Sequence, residues 1–187
     1  MNTKQAAIEQ LHAFFTSADK FLFFNGTYQG EKHPLAISAA SQFTTKPSTI
    51  LFRSNHTHHT GEYLQAVGIQ KPPKPGGFIR LNSHLLRVDT INRRSWTKTP
   101  RQIDIAIVYP IDSLDADKGR ECVQDLVGRD ANKICLVTWT DNRDFSWVEK
   151  LNPVRITYDA EAERPDYHQR VRDCEEQGKR MTERGDR

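Results

Sequence analysis

A chain of 187 residues with 36% hydrophobic and 27% charged residues can bury a core of its own, which excludes a disordered composition. The 27 Lys/Arg and 24 Asp/Glu leave +3, but residues 60–103 set eight basic residues against Glu62 and Asp89, a net +6, whereas 104–187 is net −5. No apolar stretch reaches 18 residues, which excludes a membrane helix, and residues 1–15 alternate polar positions where an export signal has its apolar region, so the expected location is cytoplasmic.

In chain order, residues 3–18 read as an amphipathic helix with Ala7, Ile8, Leu11, Phe14 and Phe15 on one side. A short buried strand at 21–24 runs into a loop with Gly26 and Gly30, and Pro34 suits the first turn of a second helix. A strand at 49–52 leads to the polar stretch 53–61, read as a loop, and to a short helix over 62–67. Lys71, Pro72, Pro73, Lys74, Pro75, Gly76 and Gly77 form a surface loop, since the prolines remove backbone donors. Residues 78–81 and 84–88 are arms of a small antiparallel hairpin turning at Asn82-Ser83, followed by a basic loop over 92–101.

The centre of the chain is 103–138. The apolar run 103–109 and the run 134–138 are buried strands. Between them Asp115 caps a helix over 116–129, with Cys122, Val123, Leu126 and Val127 at helical spacing. Two such strands bridged by one helix form a βαβ unit and predict a three-layer α/β fold: a mostly parallel sheet, helices on both faces, and a small antiparallel hairpin addition. A short helix at 145–151 and a last strand at 155–158 complete one domain over 1–159, with the basic loop region 71–101 inside it. Residues 160–187 are a charged peripheral helix and frayed tail, with a thin apolar stripe of Tyr167, Val171 and Cys174 that Gly178 interrupts. Cys122, Cys135 and Cys174 have no CxxC spacing and read as free thiols.

The order of elements resembles the core of P-loop NTPases of the AAA-like kind over roughly 14–158. In that resemblance Gly26, Gly30 and Lys32 stand at the phosphate loop, Asp112 at the metal-facing acid, and Thr140 and Asp141 at the polar end of the neighbouring strand. It implies a nucleotide with Mg²⁺ as the alternative to no cofactor. The motif departs from GxxxxGK[ST]: three residues separate the glycines, Glu31 precedes Lys32, His33 replaces the hydroxyl, and no acidic pair follows 103–109. A degenerate, non-catalytic or weakly catalytic core is the expectation.

Ligands of open α/β sheets collect at strand carboxyl ends, where Arg53, Asn55, His56 and loop 26–32 meet Asp112, Thr140, Asp141 and Asn142. His56, His58 and His59 are metal candidates, because imidazoles two apart on an extended chain point the same way. A nuclease would need a first acid, Asp89 or Asp104, and a second acid at strand spacing that 134–138 does not supply. Lys74, Arg80, Arg93, Arg94, Lys98 and Arg101, interleaved with Trp96, are the nucleic-acid candidates: cations pair with phosphates and an exposed indole stacks on a base. The expected function is a binding or accessory protein of a nucleic-acid-associated system. The alternatives are a protein–protein adaptor in a multi-subunit assembly, built on a degenerate nucleotide-binding core, and a metal- or nucleotide-dependent hydrolase or nuclease.

Overall fold

The apolar runs become the middle strands of one seven-stranded sheet. The computed structural model describes residues 2–185, with side chains through 177. The strands are β1 Phe21–Asn25, β2 Thr49–Ser54, β3 Phe78–Leu81, β4 His84–Thr90, β5 Ile105–Tyr109, β6 Lys133–Val137 and β7 Val154–Thr157. The helices are α1 Lys4–Thr16, α2 Lys32–Phe43, α3 Thr57–Gln65, α4 Arg93–Trp96, α5 Ala116–Gly128, α6 Ser146–Glu149 and α7 Pro165–Gly185. The spatial order is β3-β4-β2-β5-β6-β1-β7, and every neighbouring pair is parallel except β3–β4.

A parallel sheet must be covered on both faces, and all five residues of β5 are buried. Successive side chains alternate: Ile105, Ile107 and Tyr109 join Leu11, Phe14, Ile37, Ala40 and Leu64 from α1, α2 and α3. Ala106 and Val108 join Cys122, Val123 and Leu126 of α5 and Trp147 and Val148 of α6 on the opposite face. The Asp115 carboxylate caps α5 by accepting the Lys118 N–H at 2.9 Å. Gly119 lets the Trp147 ring lie against this helix, since an added Cβ would come within 2.6 Å of the indole.

Four expectations change in detail. Helix α3 begins at Thr57, so part of the stretch read as a polar loop is helical: the His56 carbonyl accepts the N–H of His59 and Thr60, and Ser54 and Thr60 hydroxyls meet at 2.6 Å. Strand β4 is more than a hairpin arm, since Leu85 to Thr90 pair in parallel register with Thr49 to Ser54. Only β3 is the antiparallel edge. The helical turn α4 interrupts the basic loop. Helix α7 continues through Gly178 to Gly185, where a frayed tail is expected, and residues 186–187 lie outside the described residues.

Arg53, placed at the strand edge by sequence, instead points into the second core. It is fully buried, with Nε and Nη2 donating to Asp89 at 2.8 Å each and Nη2 also to Asp125 at 2.8 Å. The Trp96 ring covers this guanidinium at 4.4 Å. Asp89 and Asp104, the candidate nuclease acids, are both structural: Asp89 also accepts Thr99 Oγ1 at 2.7 Å, and Asp104 accepts the Thr49 N–H at 2.7 Å.

Candidate functional site

The loop between β1 and α2 lies at the carboxyl ends of the strands, and its own chain fills it. Gly26 takes φ +117° and a Cβ there would fall 2.2 Å from the Tyr158 carbonyl oxygen, so only glycine fits this turn. The Gly26 N–H donates to both Asp141 oxygens at 3.1 Å, and the Thr27 N–H donates to Asp159 Oδ1 at 3.0 Å. These two amides are the groups a phosphate loop turns toward an anion; here each already holds a carboxylate. Gly30 has open space around it and no left-handed φ, so its position demands nothing of glycine.

Lys32 opens α2 and is fully buried. Its ammonium donates to the Gly26 carbonyl and, at 3.3 Å, to the Trp139 carbonyl. Burial lowers its pKa to about 8, against the opposing pull of Asp141, Asp112, Asp159 and Glu175. Asp112 accepts the N–H of Trp139 at 2.6 Å and the N–H and Oγ1 of Thr140 at 2.8 Å each, which ties the end of β6 to the turn after β5. His33 stacks on Tyr109 with ring centroids 4.2 Å apart, and burial lowers its pKa to about 4.

Helix α7 lies over this loop. Thr27 Oγ1 meets His168 Nδ1 at 2.8 Å, Tyr167 donates its hydroxyl to Gln29 Oε1 at 3.1 Å, and Glu175 accepts the Asp141 N–H at 3.0 Å. The structure thus brings together Gly26, Lys32, Asp112, Thr140 and Asp141. Sequence reasoning missed Asp159, His168 and Glu175, because nothing local pairs residues 132 or 141 positions apart.

The histidines do not gather as expected from an extended chain. His56 is the residue before α3, and the helix turns the exposed His58 away from half-buried His59; ring centroids are 6.1 Å apart for His56–His59 and 5.6 Å for His58–His59. Among the described residues no group of three or more His, Cys, Asp or Glu is placed to hold a metal ion.

Of the basic candidates, Lys74, Arg80, Arg93, Arg94, Lys98 and Arg101 are exposed. Arg93 pairs with Glu121 at 3.5 Å on the surface. Trp96 is engaged internally: its indole N–H donates to the Thr90 carbonyl at 2.8 Å while its face covers Arg53. The exposed aromatic of this region is Phe78, at 54%, with the Arg87 guanidinium 5.1 Å above its ring. Along β3 Phe78 and Arg80 point outward and Ile79 and Leu81 inward, an alternation of four residues that is too short to be read from sequence alone.

No family model matches the chain, and no curated protein does. Two solved structures do, both of the large terminase of a thermophilic bacteriophage. One matches with TM-score 0.60 at 6% identity over 84% of this chain, and the other, a complex with ADP, with TM-score 0.57 at 6% identity over 81%. The chain spans less than half of those proteins, 46% and 44% of their length. At this identity the likeness concerns the α/β fold alone. No described helix is long and apolar enough to cross a membrane.

Proposed function

We propose that this chain is a binding or accessory protein of a nucleic-acid-associated system, non-catalytic or weakly catalytic toward nucleotides, which holds single-stranded nucleic acid on its β3–β4 edge. The observation that carries the reading is the uncovered outer face of that edge. Phe78 is opposite Arg87 and Arg80 is opposite Leu85, so an exposed ring and two guanidinium groups share one face. Lys98 adjoins Gly76 beside this face, and Arg87 and Arg101 line one groove of about 700 Å³. Cations pair with phosphates along a strand, and an exposed ring, covered by Arg87 on one side only, accepts an unstacked base on the other.

The fold likeness to a phage large terminase supports a nucleic-acid-associated setting. The carboxylates already held by the Gly26 and Thr27 amides support the non-catalytic part, and they equally suit an adaptor built on a degenerate nucleotide-binding core.

Titration of short single-stranded and duplex DNA at two salt concentrations tests the reading. Binding should fall steeply with salt, and Phe78→Ala should cost single strands about 1 kcal/mol or more while leaving duplex nearly unchanged. Replacing Arg80 and Arg101 together by Ala should weaken all sequences alike and reduce the salt slope by about one unit per lost phosphate contact. Absence of binding at low salt would remove the nucleic-acid reading. A stoichiometric protein partner recovered in its place would favour the adaptor.

A further inference from the structure

The sheet has a second crevice at the carboxyl ends of its strands, and unlike the loop after β1 it is open. It lies where α3 leaves β2 toward one face of the sheet and α5 leaves β5 toward the other. A change in the direction of the connections of this kind splays the following loops apart and leaves room for a ligand. The result is a cleft of about 480 Å³, within the range of small-molecule sites.

Aromatic rings form two of its walls. Tyr109, fully buried, is flanked by Tyr63 edge-on at 4.9 Å and by Trp139 at 6.3 Å, and both flanking rings line the cleft. Trp139, two residues beyond β6, stays 38% exposed although residues 134–138 before it are buried. Asp112 fixes it there by accepting its N–H and both donors of Thr140. An aromatic ring held by its backbone with its face left open is a preformed stacking surface, and stacking on it costs little side-chain ordering.

Polar groups at the rim select what can stack. The Asn142 side-chain amide meets Thr140 Oγ1 at 2.6 Å and has a second polar atom left for a ligand. Asn55 supplies a second amide and the exposed Glu62 an acceptor, both lining the cleft. Glu62 and Asp112 face one cation, Arg143, so the lining carries a net negative charge. That balance disfavours phosphate and favours a neutral planar ring with its own N–H donors.

We propose that this cleft binds a nucleobase in the form of a free nucleoside, stacked on Trp139 and Tyr63 with its edge read by Asn55, Glu62 and Asn142. The site is separate from the β3–β4 edge and does not depend on it.

Calorimetric titration of the full chain with adenosine, guanosine and ATP tests this. At least one nucleoside should show a single saturable site, weakened about tenfold or more by Trp139→Ala and largely kept by Trp139→Phe, which retains a stacking ring. ATP should bind more weakly than adenosine, because its phosphates meet the two carboxylates. Phe78→Ala should leave nucleoside affinity unchanged, which separates this result from the fate of the nucleic-acid edge. Trp139 is 38% exposed and packs beside Tyr109, so thermal unfolding of each variant, read as a cooperative transition above the titration temperature, certifies that it is folded. No saturation by either nucleoside at millimolar concentration overturns the proposal. So does unchanged affinity in Trp139→Ala, or tighter binding of ATP than of adenosine.

Discussion

Lys32 is a cation whose direct partners are backbone carbonyls, with carboxylates close by but none in contact. Its pKa of about 8 lies below the ordinary 10.5 because burial penalises the charged form more than the nearby acids favour it. Between pH 8 and 10.5 the unfolded chain therefore holds a proton that the folded chain has lost, and folding stability from this group rises with pH across that window. Urea unfolding of wild type and Lys32→Met should show the difference in stability, wild type minus variant, growing by on the order of 3 kcal/mol from pH 8 to 10.5. A constant difference would mean that Lys32 keeps its proton. Burial lowers the His33 pKa to about 4, so its contribution is complete above pH 6.5 and lost as the pH falls toward 4. Arg53 is a harder case, because its charge has no route to water. Asp89→Ala leaves it with Asp125 alone and should cost about 3 kcal/mol or more in urea unfolding. Replacing Arg53 and Asp89 together by Met and Leu should cost less than Asp89→Ala alone, since no buried charge is then stranded.

Protection against hydrogen exchange should rank the elements by their place in the sheet. Strands β5 and β6 have parallel partners on both sides and helices on both faces, so their amides should exchange most slowly, while β3, paired only with β4, should exchange first. Rapid exchange across 105–109 would contradict the packing. These same central elements were legible in the sequence, because local rules agree there: continuous apolar runs, helical spacing of Cys122, Val123 and Leu126, and a cap at Asp115. The start of α3 was not legible. Thr57, His58, His59 and Thr60 are indifferent helix formers, and the turn is set by the Ser54–Thr60 contact and burial of Leu64. The choice of Trp96 over Phe78 as the exposed ring failed for a similar reason. A four-residue strand gives too little alternation to fix its register, and nothing in 92–101 announces that a buried Arg53 needs the indole. In the candidate site the glycine, lysine and acids were visible as types. That Asp141 and Asp159 would occupy the loop amides depends on β6 and β7 flanking β1, which only the tertiary order supplies.

At the scale of the whole molecule the two ends of the sheet carry different charge and different openness. The net +6 segment supplies β3 and β4 at one edge, and the net −5 segment supplies β7 and α7 near the other. Anions are thus drawn to the edge farthest from the turn after β1, while that turn carries its own anions. Asp141 and Asp159 satisfy the Gly26 and Thr27 amides, Glu175 from α7 holds the Asp141 backbone, and the Lys32 ammonium is spent on carbonyls. An incoming phosphate would have to displace two carboxylates and overcome their repulsion before gaining those amides. Wild type should therefore show no substantial ATP turnover and no saturable binding of pyrophosphate at millimolar concentration. Replacing Asp141 and Asp159 together by Ala removes both occupants and two negative charges, and it leaves two backbone donors in the loop before α2, beside a buried ammonium. Pyrophosphate affinity should then rise by about tenfold or more, as expected when charge-assisted hydrogen bonds to backbone amides become available. Isothermal titration of both proteins measures this, with Lys32→Ala in the double variant expected to abolish the gain. Turnover of ATP by wild type that vanishes in both Lys32→Ala and Asp112→Ala would show the opposite, that the carboxylates yield to nucleotide and the loop is a working site.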